Sequence, residues 1–323
     1  MLCTELRRYA IRPHLFYEMM TPRGLLPILV IWLASGRVCA QDLTPRAYLI
    51  TPVGSNAVTL SYSFSDGSVF TDPTLPITDS KARFSAQIFS YYHSFSLLGR
   101  SANVVGSVPY ALGNFRGIVA DAEKQAYRSG LADTRFRVSV NLKGGPAMSL
   151  REFVEWREKT TVGASLTVAA PTGQYDPARA INPGLHRWAV KPELGFSRRF
   201  GGWSVDLYGG MWFFAANPAF FPGNNMRTQA PVASAEAHLV RYLTRRCWLS
   251  LDTNYWTGGR TTVGATRKAD YQRNSRVGAT VAIPLNQRQS FKFGFSAGAY
   301  IPIGGDYRNF SVGWQYSWLH GRP

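Results

Sequence analysis

The sequence predicts an all-β fold: a transmembrane, antiparallel, up-and-down β-barrel of about twelve strands with one short periplasmic helix. Three observations lead there. Aromatic residues make up 14% of the 323 residues and glycine occurs 30 times, which suits many short strands better than helices. Apolar and polar side chains alternate with period two through segment after segment, as strands require. The connections between those segments alternate between short and long. An even-stranded bacterial barrel does this; a soluble Greek-key sandwich has no reason to.

Residues 1–40 are expected to be removed. Leu25–Ala34 is an apolar run of ten residues behind Arg23, and Val38 and Ala40 mark a cleavage point before Gln41. The run is too short for a membrane-spanning helix, which needs about 20 apolar residues. Met19 or Met20 makes a more natural start than Met1. Cleavage takes away five arginines and two glutamates, lowering the formal charge from +17 to +14. It also takes Cys3 and Cys39, so Cys247 stands alone, without a disulfide or a cysteine metal site. The basic residues are scattered through an exported chain. That argues against nucleic acid, and for anionic lipid head groups or a charge-selective lumen.

Residues 41–54 form a periplasmic or lumenal segment. Leu43, Tyr48 and Ile50 make it apolar, and Pro45 and Pro52 stiffen it. Two readings stand side by side: a partial plug of the barrel through Leu43, Tyr48 and Ile50, or a disordered leader crossing the periplasmic rim.

The barrel is expected over residues 55–319, with a tail at 320–323. Its strands begin with Val58, Leu60, Tyr62 and Phe64 set against Thr59, Ser61 and Ser63. The second sets Ala82, Phe84, Ala86 and Ile88 against Arg83, Ser85 and Gln87, and the third sets Val108 and Tyr110 against Asn103 and Ser107. Further segments fall near Arg135–Leu142, Thr161–Val168, Trp188–Ser197, Trp203–Leu207, Ala233–Leu239, Leu249–Tyr255, Arg276–Leu285 and Phe291–Ala297. The last strand is the clearest: Phe310, Val312, Trp314, Tyr316 and Trp318 against Ser311, Gly313, Gln315 and Ser317. In a bilayer the apolar face turns outward to lipid, so Val281, Phe293 and Val312 are expected on the outside. The Trp and Tyr excess reads as an interfacial girdle.

Long links are expected after strands 1, 3, 5, 7 and 9, and a tight outer turn at Gly304–Asp306. The link Lys143–Lys159 is long where a short turn is due, and Ser149 and Glu152 have capping-box spacing at the start of a short helix.

The polar faces carry both signs of charge. Arg135, Arg137, Lys191, Glu193, Asp206, Glu236, His238, Asp252, Arg276 and Lys292 are the candidate lumen-lining residues, expected to form a mixed-charge network. Catalytic chemistry has no signature. Glu236 and His238 share one strand face and read as a hydrogen-bonded lumen pair, with no third partner to make a metal or acid–base site. Gly258-Gly259-Arg260 lacks the Lys-Ser/Thr and helix of a phosphate loop. No cofactor or metal is expected.

Several stretches carry a resemblance. Pro45–Tyr48 followed by Thr51–Gly54, Gly99–Asn103, Asp133–Leu142, Pro171–Tyr175, Lys191-Pro192-Glu193, Thr257–Thr262 and Asn274–Thr280 occur in an order that resembles the meta-pathway phenol-degradation family of outer-membrane proteins, often labelled simply "transporter". The resemblance runs from about Leu43 to Leu319. It implies a barrel in the outer membrane of a Gram-negative bacterium, surrounded by outer-membrane lipids. The implied role is passive uptake of small hydrophobic or aromatic solutes. Such barrels commonly end on an aromatic that the barrel assembly machinery reads; here Leu319–Pro323 run past Trp318. The alternatives are a non-transporting barrel that displays loops for assembly or adhesion, or an outer-membrane enzyme.

Overall fold

The computed structural model describes residues 43–70, 77–119, 121–157, 159–221, 225–244 and 246–319. The expected signal segment and the tail at 320–323 lie outside the described residues. Seventeen strands and one helix are present among those described. The strands are β1 (Ser55–Phe70), β2 (Ile77–Leu97), β3 (Arg100–Val119), β4 (Ala122–Leu131), β5 (Thr134–Lys143), β6 (Thr160–Ala170), β7 (Ala189–Phe200), β8 (Trp203–Phe214), β9 (Asn217–Phe220) and β10 (Asn225–Gln229). They continue with β11 (Val232–Tyr242), β12 (Trp248–Gly258), β13 (Thr261–Val263), β14 (Thr266–Arg267), β15 (Gln272–Pro284), β16 (Gln289–Tyr300) and β17 (Gly304–Leu319). The helix α1 spans Leu150–Glu155.

Each wall strand pairs antiparallel with its neighbours, and β1 closes on β17 from Ser55↔Leu319 to Phe70↔Gly304. β4 and β5 act as one wall strand broken at Ala132-Asp133, since β3 pairs with β5 in its lower half and with β4 in its upper half. Counted so, twelve antiparallel strands close the ring. β9, β10, β13 and β14 form a separate four-stranded sheet in the long connections.

Turn chemistry explains the short end. Leu98-Gly99 joins β2 to β3 with both residues at positive φ (50° and 75°), as a two-residue hairpin of the twisted type demands. At this end α1 is capped as the sequence predicts: the Ser149 side chain accepts from the Glu152 backbone N–H, and the Glu152 carboxylate accepts from the Ser149 N–H at 2.7 Å. Those bonds, the backbone one first, hold the Glu152 carboxyl below its ordinary pKa.

The outer face is apolar. Leu60, Val108, Val138, Leu166, Leu194, Leu207, Leu251, Val277, Phe293 and Phe310 all stand exposed on it. A band of this extent is a lipid-facing surface. Val281 lies on the same face, in register with Leu249 and Phe293.

Three expectations fail. In β2 the faces are inverted: Ser61↔Ile88, Ser63↔Ala86 and Ser65↔Phe84 are paired, so Phe84, Ala86 and Ile88 face the bore and Gln87 and Phe89 face outward. The rule that the polar face turns inward breaks where the bore itself is apolar. The long loop expected after the third strand is instead the upper β3–β4 hairpin. Its strands run on past the bilayer, which takes only about 9–11 residues to cross, so the alternation of their outer part is weak. The outer turn before the last strand is Ile301–Ile303, and Gly304–Asp306 already belong to β17.

Candidate functional site: the bore

Inside the ring the two halves differ. On the β5–β12 side, charged residues join in a chain. Arg137 Nη2 lies 3.4 Å from Glu193 Oε1, and Glu193 Oε2 lies 2.6 Å from Lys191 Nζ. Lys191 Nζ reaches Glu236 Oε1 at 3.3 Å, and Glu236 Oε2 lies 3.6 Å from His238 Nε2. His238 Nδ1 meets Asp252 Oδ1 at 2.8 Å, and Asp252 Oδ2 accepts from Thr280 Oγ1 at 2.8 Å. Adjacent strands build it, because β11 and β12 are in register at His238↔Asp252. Asp252 is thus the third partner that the linear pattern around Glu236 and His238 does not show. Among the described residues no group of three or more His, Cys, Asp or Glu is arranged to hold a metal ion.

Segment 43–54 folds back against this chain. The Tyr48 hydroxyl donates to Glu193 Oε1 at 3.1 Å and shares a bond with Ser165 Oγ at 3.0 Å. Its ring lies on a flat seat: a Cβ at Gly163 or Gly195 would stand 2.2 or 2.1 Å from it. Arg137 covers the other face at 4.8 Å and also donates to the Ala47 carbonyl at 3.0 Å. Arg46, at φ 61°, donates its backbone N–H to Asp206 Oδ2 at 3.1 Å and sets its guanidinium over Tyr242 and Trp248. Asp206 Oδ1 accepts from Ser197 at 2.5 Å. Ile50 is fully buried, with its Cδ1 close to Gly145, and Leu43 reaches across to Gly278 on β15.

Towards the long-loop end the same half is packed with apolar side chains. Ala169, Ala189, Trp212, Val232, Trp256 and Ile301 form one cluster with Leu185 against it. Leu185 comes from the 171–188 connection, which Asp133 holds inward: Oδ1 accepts from Gly173 N at 3.0 Å and Oδ2 from Leu185 N at 2.8 Å. Trp212, Trp248 and Trp256 are therefore bore residues rather than girdle residues. Each shares the parity of its strand's polar face (Asp206; Ser250, Asp252 and Asn254), the signal that could have found them.

The other half, walled by β15–β17 and β1–β3, holds a cavity of about 580 Å³. Ser61, Ser63, Ser65, Ala86, Ala111 and Gly113 keep it wide. Phe84, Ile88, Pro109, Phe115 and Leu43 make it apolar, and Arg128, Arg135, Arg276 and Asp133 supply polar points. Arg276 Nη1 donates to Ser296 Oγ and to the Tyr307 carbonyl, away from the charge chain. Lys292 projects from β16 on the bore face, with Arg46 and Asp252 as its charged neighbours. Of the candidate residues, the structure thus joins Arg137, Lys191, Glu193, Glu236, His238 and Asp252. Asp206 holds the N-terminal segment instead, Arg135 and Arg276 line the cavity, and Lys292 faces the bore near Arg46 and Asp252.

Sequence comparison places the chain. Residues 55–320 match the family described as the MetA-pathway of phenol degradation. The chain belongs to this family. No curated protein is similar enough to count as a relative by sequence. Among solved structures, an outer membrane channel from Pseudomonas putida F1 is similar with a TM-score of 0.75 at 18% identity, over 86% of this chain and 100% of that one. The transport unit of the autotransporter AIDA-I from Escherichia coli is similar at a TM-score of 0.52 and 8% identity, over 91% and 98%. These likenesses show the fold. With the lipid-facing band and family membership, the protein is a β-barrel of the outer membrane.

Proposed function

We propose that the protein is a passive channel for small apolar or aromatic solutes, which travel along the β15–β17 and β1–β3 half of the bore. The cavity there carries the reading: small side chains leave room, and an apolar lining with a few polar points is what such solutes need. In this reading the charge chain is a fixed septum, and Leu43, Tyr48 and Ile50 narrow the entrance from the periplasmic side. The family's phenol-degradation description is consistent with an aromatic solute. A display role fits less well, because the 171–188 connection is tied inward by Asp133 instead of standing free.

Single-channel recording of the purified protein in a planar bilayer tests this. Adding phenol should produce brief blockades of the current, and a sugar of similar size should produce none. A protein that carries no current, or whose current ignores phenol, is not this channel.

A further inference from the structure

The outer surface carries a second feature, independent of the bore. Along β17, β1, β2 and β3 the lipid-facing pattern ends at one level. The last largely apolar rung runs Phe310, Phe64, Ser85, Leu112 across the four strands. The next rung outward is Arg308, Asp66, Arg83, Asn114, and the one beyond it sets Lys81 beside Arg116. Lys81, Arg83, Arg116 and Arg308 are all exposed.

Two acidic residues share these rungs. Asp66 is held by Arg83 through Nε and Nη2 at 3.3 and 3.4 Å. Asp306, in register with Ser68, turns its carboxylate against Gly298 on the bore side. Four cations thus face one carboxylate, within strands spaced about 4.8 Å apart. Elsewhere on the outer perimeter the corresponding exposed positions are Trp188, Phe213, Tyr255 and Tyr300, with Arg273 a lone cation.

Long connections of such barrels face the cell exterior. The patch therefore lies at the head-group level of the outer leaflet, directly above the apolar band. A basic cluster at that depth recognises anionic head groups, each cation adding favourable energy near the surface. We infer that Lys81, Arg83, Arg116 and Arg308 form a binding site for a phosphorylated glycolipid of the outer leaflet. Its phosphates would engage the cations while its acyl chains lie on Phe64, Phe310, Tyr110 and Leu112.

Native mass spectrometry of the full chain in detergent, titrated with a bisphosphorylated lipid A-type glycolipid, tests the site. The wild type should retain one glycolipid and gain thermal stability from it. The dephosphorylated glycolipid, phosphatidylglycerol and inorganic phosphate should bind at least tenfold more weakly. Replacing Arg83 and Arg308 together by Gln should weaken binding about tenfold, taking about threefold per unit charge from Coulomb's law in water at ~7 Å. Arg273→Gln should leave it unchanged. Heat-modifiable migration on gels shows which variants are folded barrels, and Lys81→Gln with Arg116→Gln provides a second pair. Equal binding of the dephosphorylated glycolipid, or wild-type affinity in both folded double variants, overturns the site.

Discussion

The two halves of the bore are made by the same kind of wall and do opposite things. In β5–β12 the inward side chains are long, charged or aromatic, and they meet one another: Arg137 through Asp252 form one chain, and Trp212 and Trp256 close the space above it. In β15–β17 and β1–β3 they are mostly Ser, Ala and Gly, and a cavity remains. A ring of twelve strands is too wide for wall side chains of ordinary size to fill. The sequence distributes bulk unevenly around the ring, and that leaves one side solid and the other hollow. Substitutions in the solid half should therefore cost stability, and substitutions in the hollow half should cost passage.

The sharpest break of that contrast is Glu236→Ala. It removes the carboxylate that Lys191 and His238 share, while Lys191 keeps Glu193 and His238 keeps Asp252, so the cost should lie at the lower end of the about 3–5 kcal/mol of a buried charge left wholly without a partner. Thermal unfolding should fall accordingly; an unchanged midpoint would mean that the chain bears no load. Next is the wall itself. Val281→Arg places a charge on the lipid face and should cost about 2–4 kcal/mol near mid-bilayer, seen as poor assembly, while Thr280→Arg, one residue along on the bore side, should assemble. The reverse result would invert the facing of β15.

Gly195→Val tests the join between segment and wall. A side chain there collides with the Tyr48 ring, and overpacking costs about 1–3 kcal/mol. If the segment narrows the entrance, its release should raise the single-channel current, as should deletion of residues 43–50. A current identical to wild type in both would make the segment a passive leader. The smallest stability effect is expected from Ala86→Trp in the hollow half, within about 1 kcal/mol because the site is open. Its effect on phenol blockade should nevertheless be the largest of these substitutions, and unaltered blockade would move the solute path elsewhere.

Much of this was legible in the linear chain. Period-two alternation located all twelve wall strands, because the two faces of a wall strand meet different surroundings, lipid and bore, along the whole crossing. It also marked Arg137, Lys191, Glu193, Glu236, His238 and Asp252 as inward-facing, and the Ser149–Glu152 spacing marked the helix cap. These are local properties, decided by a strand's own period or a helix's own first turn.

Tertiary structure decided what the inward residues meet. Asp252 becomes the partner of His238 only through the register of β11 with β12, and Tyr48 finds Gly163 and Gly195 across more than a hundred residues of chain. The facing of β2 belongs here too. Its own alternation favours Phe84, Ala86 and Ile88 as the lipid side, but the hydrogen bonds to β1 and β3 set its register and turn them into the bore. A strand's period says that two faces differ. Which face looks inward depends on its neighbours, since one residue of slip exchanges the two.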